Sequence, residues 1–204
     1  MAIEDDPVLS EAARPVSSDT QALPEVDGND RPSGLRNVVE WVAIAGGALL
    51  VAFLIKTFLL QAFYIPSLSM APTLKVNDRV LVNKLSYDLH EINRGDIVVF
   101  ESPPNEGSQT KDLIKRVIAL PGETVEAHDG HIYIDGSELE EPYLGPDVTT
   151  QPFEKTTIPP DHYWVMGDNR PNSRDSRFYG AISESLVIGR AFVRVWPVTN
   201  LSML

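Results

Sequence analysis

The sequence predicts a mainly β domain over residues 63–204, preceded by a single membrane-spanning helix at 38–62 and a disordered acidic tail at 1–37. Three observations carry that reading. The first 37 residues are acidic and contain no aromatic residue; residues 38–65 are apolar almost without interruption; and from residue 66 onward short β-branched runs alternate with Gly, Pro and Asp.

The tail holds eight acids, three arginines and four prolines. Such a segment buries too little apolar surface to offset the chain entropy lost on folding, so it reads as disordered. Of the chain's net charge of −12, the tail carries −5 and the remainder −7. No basic face is hidden in the average, which argues against nucleic acid as a partner. The absence of cysteine excludes disulfide frameworks, thiolate metal sites and a thiol nucleophile.

In the apolar segment VVEWVAIAGGALLVAFLIKTFLLQAFYI the only charges are Glu40 and Lys56. About 20 such residues cross a hydrocarbon core of ~30 Å. The strictly uncharged run from Trp41 to Ile55 would also suit a buried core helix, but apolarity resumes past Lys56, and a lysine near a helix end snorkels to the interface. A cleaved signal peptide fits less well, because the segment starts behind an acidic tail rather than a short basic one. Flanking charges leave the orientation open.

The runs RVLVN (79–83), DIVVF (96–100), LIKRVIAL (113–120) and VIGRAFVRVW (187–196) read as strands. In HDGHIYIDG (128–136), Asp129-Gly130 forms a two-residue hairpin turn, with a second Asp-Gly at 135–136.

Three clusters are more polar than packing requires. PSLSMAPTL (66–74) sets Ser67 and Ser69 between two φ-fixing prolines; the loop is a connector unless a base lies near. IKRVIALPG (114–122) puts Lys115 and Arg116 side by side in an apolar strand, so one of the two cations lies on the buried face, or both snorkel from an edge strand. Burial lowers a lysine's pKa and turns it into a usable base. GDNRPNSRDSR (167–177) is either a solvated loop or a buried network of acids and arginines. His90, His128, His131 and His162 have no carboxylate partners at metal or triad spacing, so no metal and no cofactor is expected.

Together these motifs resemble the type I signal peptidases, membrane-bound serine proteases with a serine-lysine dyad. PSLSMAPTL, RGDIVVF, IKRVIALPGE and GDNRPNSRDSR resemble that family's boxes in order behind a transmembrane segment, over residues 40–196. The resemblance implies a coiled antiparallel β-sheet domain and a role in removing signal peptides from exported preproteins through an acyl-enzyme. It implies Ser69 as nucleophile, Lys115 as general base, Ser67 as an oxyanion donor and Ser173 as the residue that hydrogen-bonds and orients the lysine. Asp168 with Arg116 and Asp175 with Arg177 would support the site. Phe63 and Ile65 at a strand edge, with Met70, Leu74 and Ile114, would bind an extended substrate with small side chains at the first and third positions before the cut. Leu113 stands where an aromatic is frequent, which leaves the cleft's shape open. The resemblance further implies a single-pass protein of the cell membrane, a monomer, with a cytoplasmic tail, an extracytoplasmic domain, and the bilayer and signal peptides as partners. Two alternatives fit less well. A repressor-type self-cleaving protease needs a DNA-binding helical domain in place of the anchor, and a tethered β module without catalysis has no use for both Ser69 and Lys115.

Overall fold

The computed structural model describes residues 34–54, 59–107 and 110–204. Residues 1–33 of the expected tail, and Lys56, lie outside the described residues. The helix α1 is described over Gly34–Leu54, so it takes in residues 34–37 of the expected tail, and Leu59, just before the first strand, is also helical. Its stretch Arg36–Leu54 has a mean hydropathy of 1.9, is fully exposed, and is long and apolar enough to cross a membrane. The exposure sets aside the core-helix alternative. Residues 60–62, expected to be helical, open a strand instead. Backbone pairing decides this: Leu60 stands opposite Asn83, and the Lys84 amide donates to the Leu59 carbonyl at 2.9 Å.

The described strands are β1 (Leu60–Tyr64), β2 (Arg79–Asn83), β3 (Ile97–Glu101), β4 (Asp112–Ala119), β5 (Thr124–His128) and β6 (His131–Ile134), followed by β7 (Ser137–Glu138), β8 (Phe153–Thr157), β9 (His162–Met166), β10 (Ile182–Ser183), β11 (Val187–Trp196) and β12 (Ser202–Met203). A larger sheet has the order β1-β2-β11-β3-β4-β9-β10, with β12 on β11, and a smaller one the order β7-β6-β5-β8. All of these pairings are antiparallel. Bulges in β11 between Ala191 and Val193 and between Arg194 and Trp196, and in β4 between Val117 and Ala119, bend the larger sheet. The predicted hairpin turn is present, with Asp129 and Gly130 at φ 53° and 89° joining β5 to β6.

Strand β4 positions the site. It lies between β3 and β9, so it is not an edge strand. Apolar clusters cover both of its faces. Ile114 packs with Ile65, Met70 and Leu74, Val117 with Val98 and Phe100, and Ile118 with Trp164 and Met166. Consequently both adjacent cations are buried: Lys115 is 3% exposed and Arg116 7% exposed. The alternative in which both cations snorkel into water from an edge strand fails, because β4 is interior and both of its sides are core.

Phe100 is wholly buried where β3 meets β4. Phe100→Ala is expected to lower the unfolding free energy by about 3–5 kcal/mol, measured by denaturant titration of the full chain in detergent. A loss under about 1 kcal/mol would mean that this side of β3 is not packed as described.

Candidate active site

The loop between β1 and β2 is pinned from beneath by three side chains. Ile65, Met70 and Leu74 are at most 2% exposed and sit in one apolar cluster with Val80, Val82 and Ile97. Local backbone bonds close the loop, Ala71 N donating to Leu68 O at 3.0 Å and Leu74 N to Met70 O at 2.8 Å. With Met70 and Leu74 turned inward, Ser69 is carried at the edge of a cleft of about 480 Å³. Ser67, Leu68, Val76, Glu106, Leu113 and Lys115 are among its lining residues.

In that cleft Lys115 Nζ lies 2.8 Å from Ser69 Oγ and donates also to the Ile114 carbonyl at 3.0 Å. Ser67 Oγ is 3.3 Å from Ser69 Oγ. Burial lowers the pKa of Lys115 from 10.5 to about 8, against Asp175, Glu106 and Asp168, whose negative charges act to keep the proton on. A larger hollow of about 610 Å³ beside Tyr87, His90, Asp161 and Glu184 contains no such hydroxyl–amine contact among its lining residues.

The polar run 167–177 is the buried network rather than the solvated loop. Asp168, fully buried, receives both arms of Arg116, with Nε to Oδ1 at 2.9 Å and Nη2 to Oδ2 at 2.7 Å. Thr73 Oγ1 donates to the same carboxylate at 2.5 Å, which ties the serine loop to β4. The Tyr143 ring lies 3.9 Å from the Arg116 guanidinium carbon. Asp175 is forked by Arg177 at 2.8 Å on each oxygen and accepts from Gly167 N at 3.0 Å. The buried Arg170 joins Glu141 and Thr150.

Asn169 clasps the serine loop. Its backbone N donates to Ser69 O and its side-chain amide to Leu68 O, both at 3.0 Å. This close approach requires glycine at 167, where a Cβ would overlap the Ser69 carbonyl oxygen and Ser173 Oγ. Thr73 and Asn169 lie inside motifs already singled out from sequence, whereas nothing in the spacing of Glu141, Tyr143 or Thr150 pointed to the site.

Two expectations are corrected. Ser173 Oγ is buried without a hydrogen-bond partner among the described residues, so its expected bond to Lys115 is not made; the side chain is pressed against Gly167 instead. Of the residues expected to bind substrate, Ile65, Met70 and Leu74 are core, while Phe63 and Ile114 pack half-buried against that core.

Residues 38–196 match the family model described as signal peptidase, peptidase S26. The chain is similar to signal peptidase I of Leptolyngbya laminosa, 43% identical over 190 residues that span 90% of this chain and 92% of that protein. It is similar to signal peptidase IB of Staphylococcus aureus (strain COL), 33% identical over 182 residues, 81% of this chain and 93% of that one. It also resembles the crystal structure of a signal peptidase I from Enterococcus faecalis V583, with 35% identity and a TM-score of 0.42, covering 50% of this chain and 97% of the other.

The Arg116–Asp168 pair makes a direct stability prediction. Removing one partner leaves the other charge buried and uncompensated, so Asp168→Ala is expected to cost about 3–5 kcal/mol in denaturant unfolding. Glu126→Ala breaks the more exposed contact with Lys155 and is expected to cost less than about 1 kcal/mol. Equal losses would refute the distinction.

Proposed function

Because this chain belongs to the signal peptidase family, peptidase S26, and is therefore a serine peptidase that hydrolyses peptide bonds, we propose that it removes signal peptides from exported preproteins with Ser69 as nucleophile and Lys115 as general base. The observation that carries this reading is the 2.8 Å contact between the Ser69 hydroxyl and a buried amine. A serine hydroxyl attacks only when a neutral base accepts its proton, and a lysine is neutral near physiological pH only when desolvated.

Lys115 takes the Ser69 proton as Oγ bonds to the scissile carbonyl carbon. The oxyanion that develops is held by the Ser69 backbone amide and the Ser67 hydroxyl. Collapse expels the leaving amine, which takes the proton from Lys115 and leaves a Ser69 ester. Lys115, neutral again, deprotonates a water that attacks the ester, and the serine regains its proton as the acid product departs. Asp168 with Arg116, and Asp175 with Arg177, hold the loop that clasps Ser69 and thus fix the distance over which the proton moves.

The substrate is an extended segment with small side chains, of Ala-x-Ala type, at its cleavage site. Strand β1 lies at one end of the larger sheet, which suits addition of a peptide strand by main-chain hydrogen bonds. The apolar Leu68, Val76 and Leu113 line the adjoining cleft. Helix α1 serves as a single membrane anchor with a cytoplasmic N-terminal side and an extracytoplasmic β domain, so the cleft meets preproteins still held in the bilayer.

Ser69→Ala and Lys115→Ala are each expected to abolish conversion of a preprotein to its mature form in membrane vesicles, with folding verified by circular dichroism. Full activity of either variant would refute the dyad, and undiminished binding of a signal peptide with no cleavage in the wild type would favour a binding module. Ser67→Ala should lower kcat about 10²- to 10³-fold.

The pH profile has a definite sign. The base is active when neutral, so kcat/KM should climb about tenfold per pH unit below the lysine's pKa of about 8 and level off above it. A maximum near pH 5 in steady-state cleavage of a model peptide would contradict a lysine base.

A further inference from the structure

Three carboxylates act on the amine of Lys115: Asp175 and Asp168 from the 167–177 run, and Glu106 from the turn after β3. The nearby cations are Arg116 on the same strand, Arg177 and Arg174. Asp168 and Asp175 are each closed in a two-pronged arginine fork with contacts of 2.7–2.9 Å, and Asp175 acts on the amine more strongly than Glu106 does. Glu106 is held differently. Its side chain is only 5% exposed, yet its Oε1 is 3.7 Å from Nε of Arg174, whose own side chain is 52% exposed. Ser102 Oγ reaches the other carboxylate oxygen at 3.4 Å, and Arg174 Nε donates to the Glu106 carbonyl at 2.7 Å. Glu106, Arg174, Ser69 and Lys115 all line the same cleft.

We propose that Glu106 is a positioning residue for the Ser69–Lys115 pair, its buried carboxylate, tethered by Arg174 in the wall of the same cleft, keeping the amine basic enough to take and return the serine's proton. The inference rests on Lys115 being the general base. Desolvation alone drives the amine toward permanent neutrality, where it is too weak a base to draw the proton from the serine hydroxyl. A carboxylate in the same low-dielectric cleft counters that, because Coulomb interaction there is far less screened than in water. A base whose pKa stays near the working pH transfers a proton most effectively in both directions. Arg174 acts in the opposite sense, since its guanidinium draws on the Glu106 charge.

The test uses the full chain in detergent micelles and a model signal-peptide substrate, with kcat/KM measured from pH 5.5 to 10. Glu106→Gln is expected to move the acid limb down by about 0.5–1 pH unit, so that at low pH the rate relative to its own plateau rises about three- to tenfold. Arg174→Met is expected to move the limb up, Glu106→Asp to restore the wild-type midpoint, and the exposed Glu154→Gln to leave it in place. A uniform loss of rate in Glu106→Gln and Arg174→Met with unmoved midpoints would make Glu106 merely structural and overturn the proposal. Should Glu106→Gln fail to fold, Arg174→Met decides alone: an upward midpoint supports the proposal and an unmoved one overturns it. Direct NMR titration of the Lys115 side chain in Ser69→Ala, with and without Glu106→Gln, separates the two readings. A lysine midpoint unmoved by Glu106→Gln overturns the role of Glu106 and leaves the base assignment standing. A lysine midpoint that moves while the rate profile does not supports the coupling and places the failure in the base assignment.

Discussion

The desolvation of one amine organises the β domain. Lys115 is buried on a strand whose two faces are both core, and burial is what brings its pKa down from 10.5 to about 8. Burying an ammonium without a partner is expensive, so the folded chain tolerates the residue because the amine can shed a proton to solvent and because Ser69 Oγ and the Ile114 carbonyl accept hydrogen bonds from Nζ. Interior placement of β4, clusters on both of its sides and a polar loop closing over the end of the site follow from that single requirement.

The neighbouring cation meets the same environment by the opposite means. A guanidinium does not deprotonate, so Arg116 carries its charge into the interior and must be matched there. Asp168 supplies both acceptors, Gly95 a carbonyl and Tyr143 a ring face. Two cations adjacent in sequence thus reach two outcomes, one neutral and one paired. The pairing also ties parts of the chain together, because Asp168 takes the Thr73 hydroxyl and so links the serine loop to β4. Asn169 completes the link through the carbonyls of Leu68 and Ser69. Serine and lysine are 46 positions apart in the chain, and their 2.8 Å separation depends on these polar crosslinks as well as on apolar packing.

Apolar residues do two unlike jobs in this chain. Along α1, Trp41 and Leu49 are over 70% exposed, a surface that water would not tolerate on this scale but a hydrocarbon phase would. Around Ser69 the apolar side chains are inward pegs. Met70 and Leu74 hold the loop from below, which leaves Leu68, Val76 and Leu113 to form the apolar wall of the cleft. Composition is the same in both places; which side of the backbone faces out is not.

Local physics was legible from residue types alone. Strands β2 and β11 have the bounds read from their hydrophobic runs, β3 and β4 lie within a residue of theirs, and the Asp129-Gly130 turn sits where two left-handed positions are needed. The order of polar motifs behind an apolar segment pointed to the family, and the candidate serine and lysine came with it. Contacts distant in sequence were not legible in the same way. That both Lys115 and Arg116 are buried depends on clusters drawn from five or more segments; that Ser173 is pressed against Gly167 instead of bonding the lysine depends on a tenth-of-nanometre fit; and that helix gives way to strand at Leu60 depends on a partner at Asn83. Periodicity says which side chains share a face, but only the folded chain says what covers that face, since burial and hydrogen-bond satisfaction are properties of neighbours brought together from elsewhere.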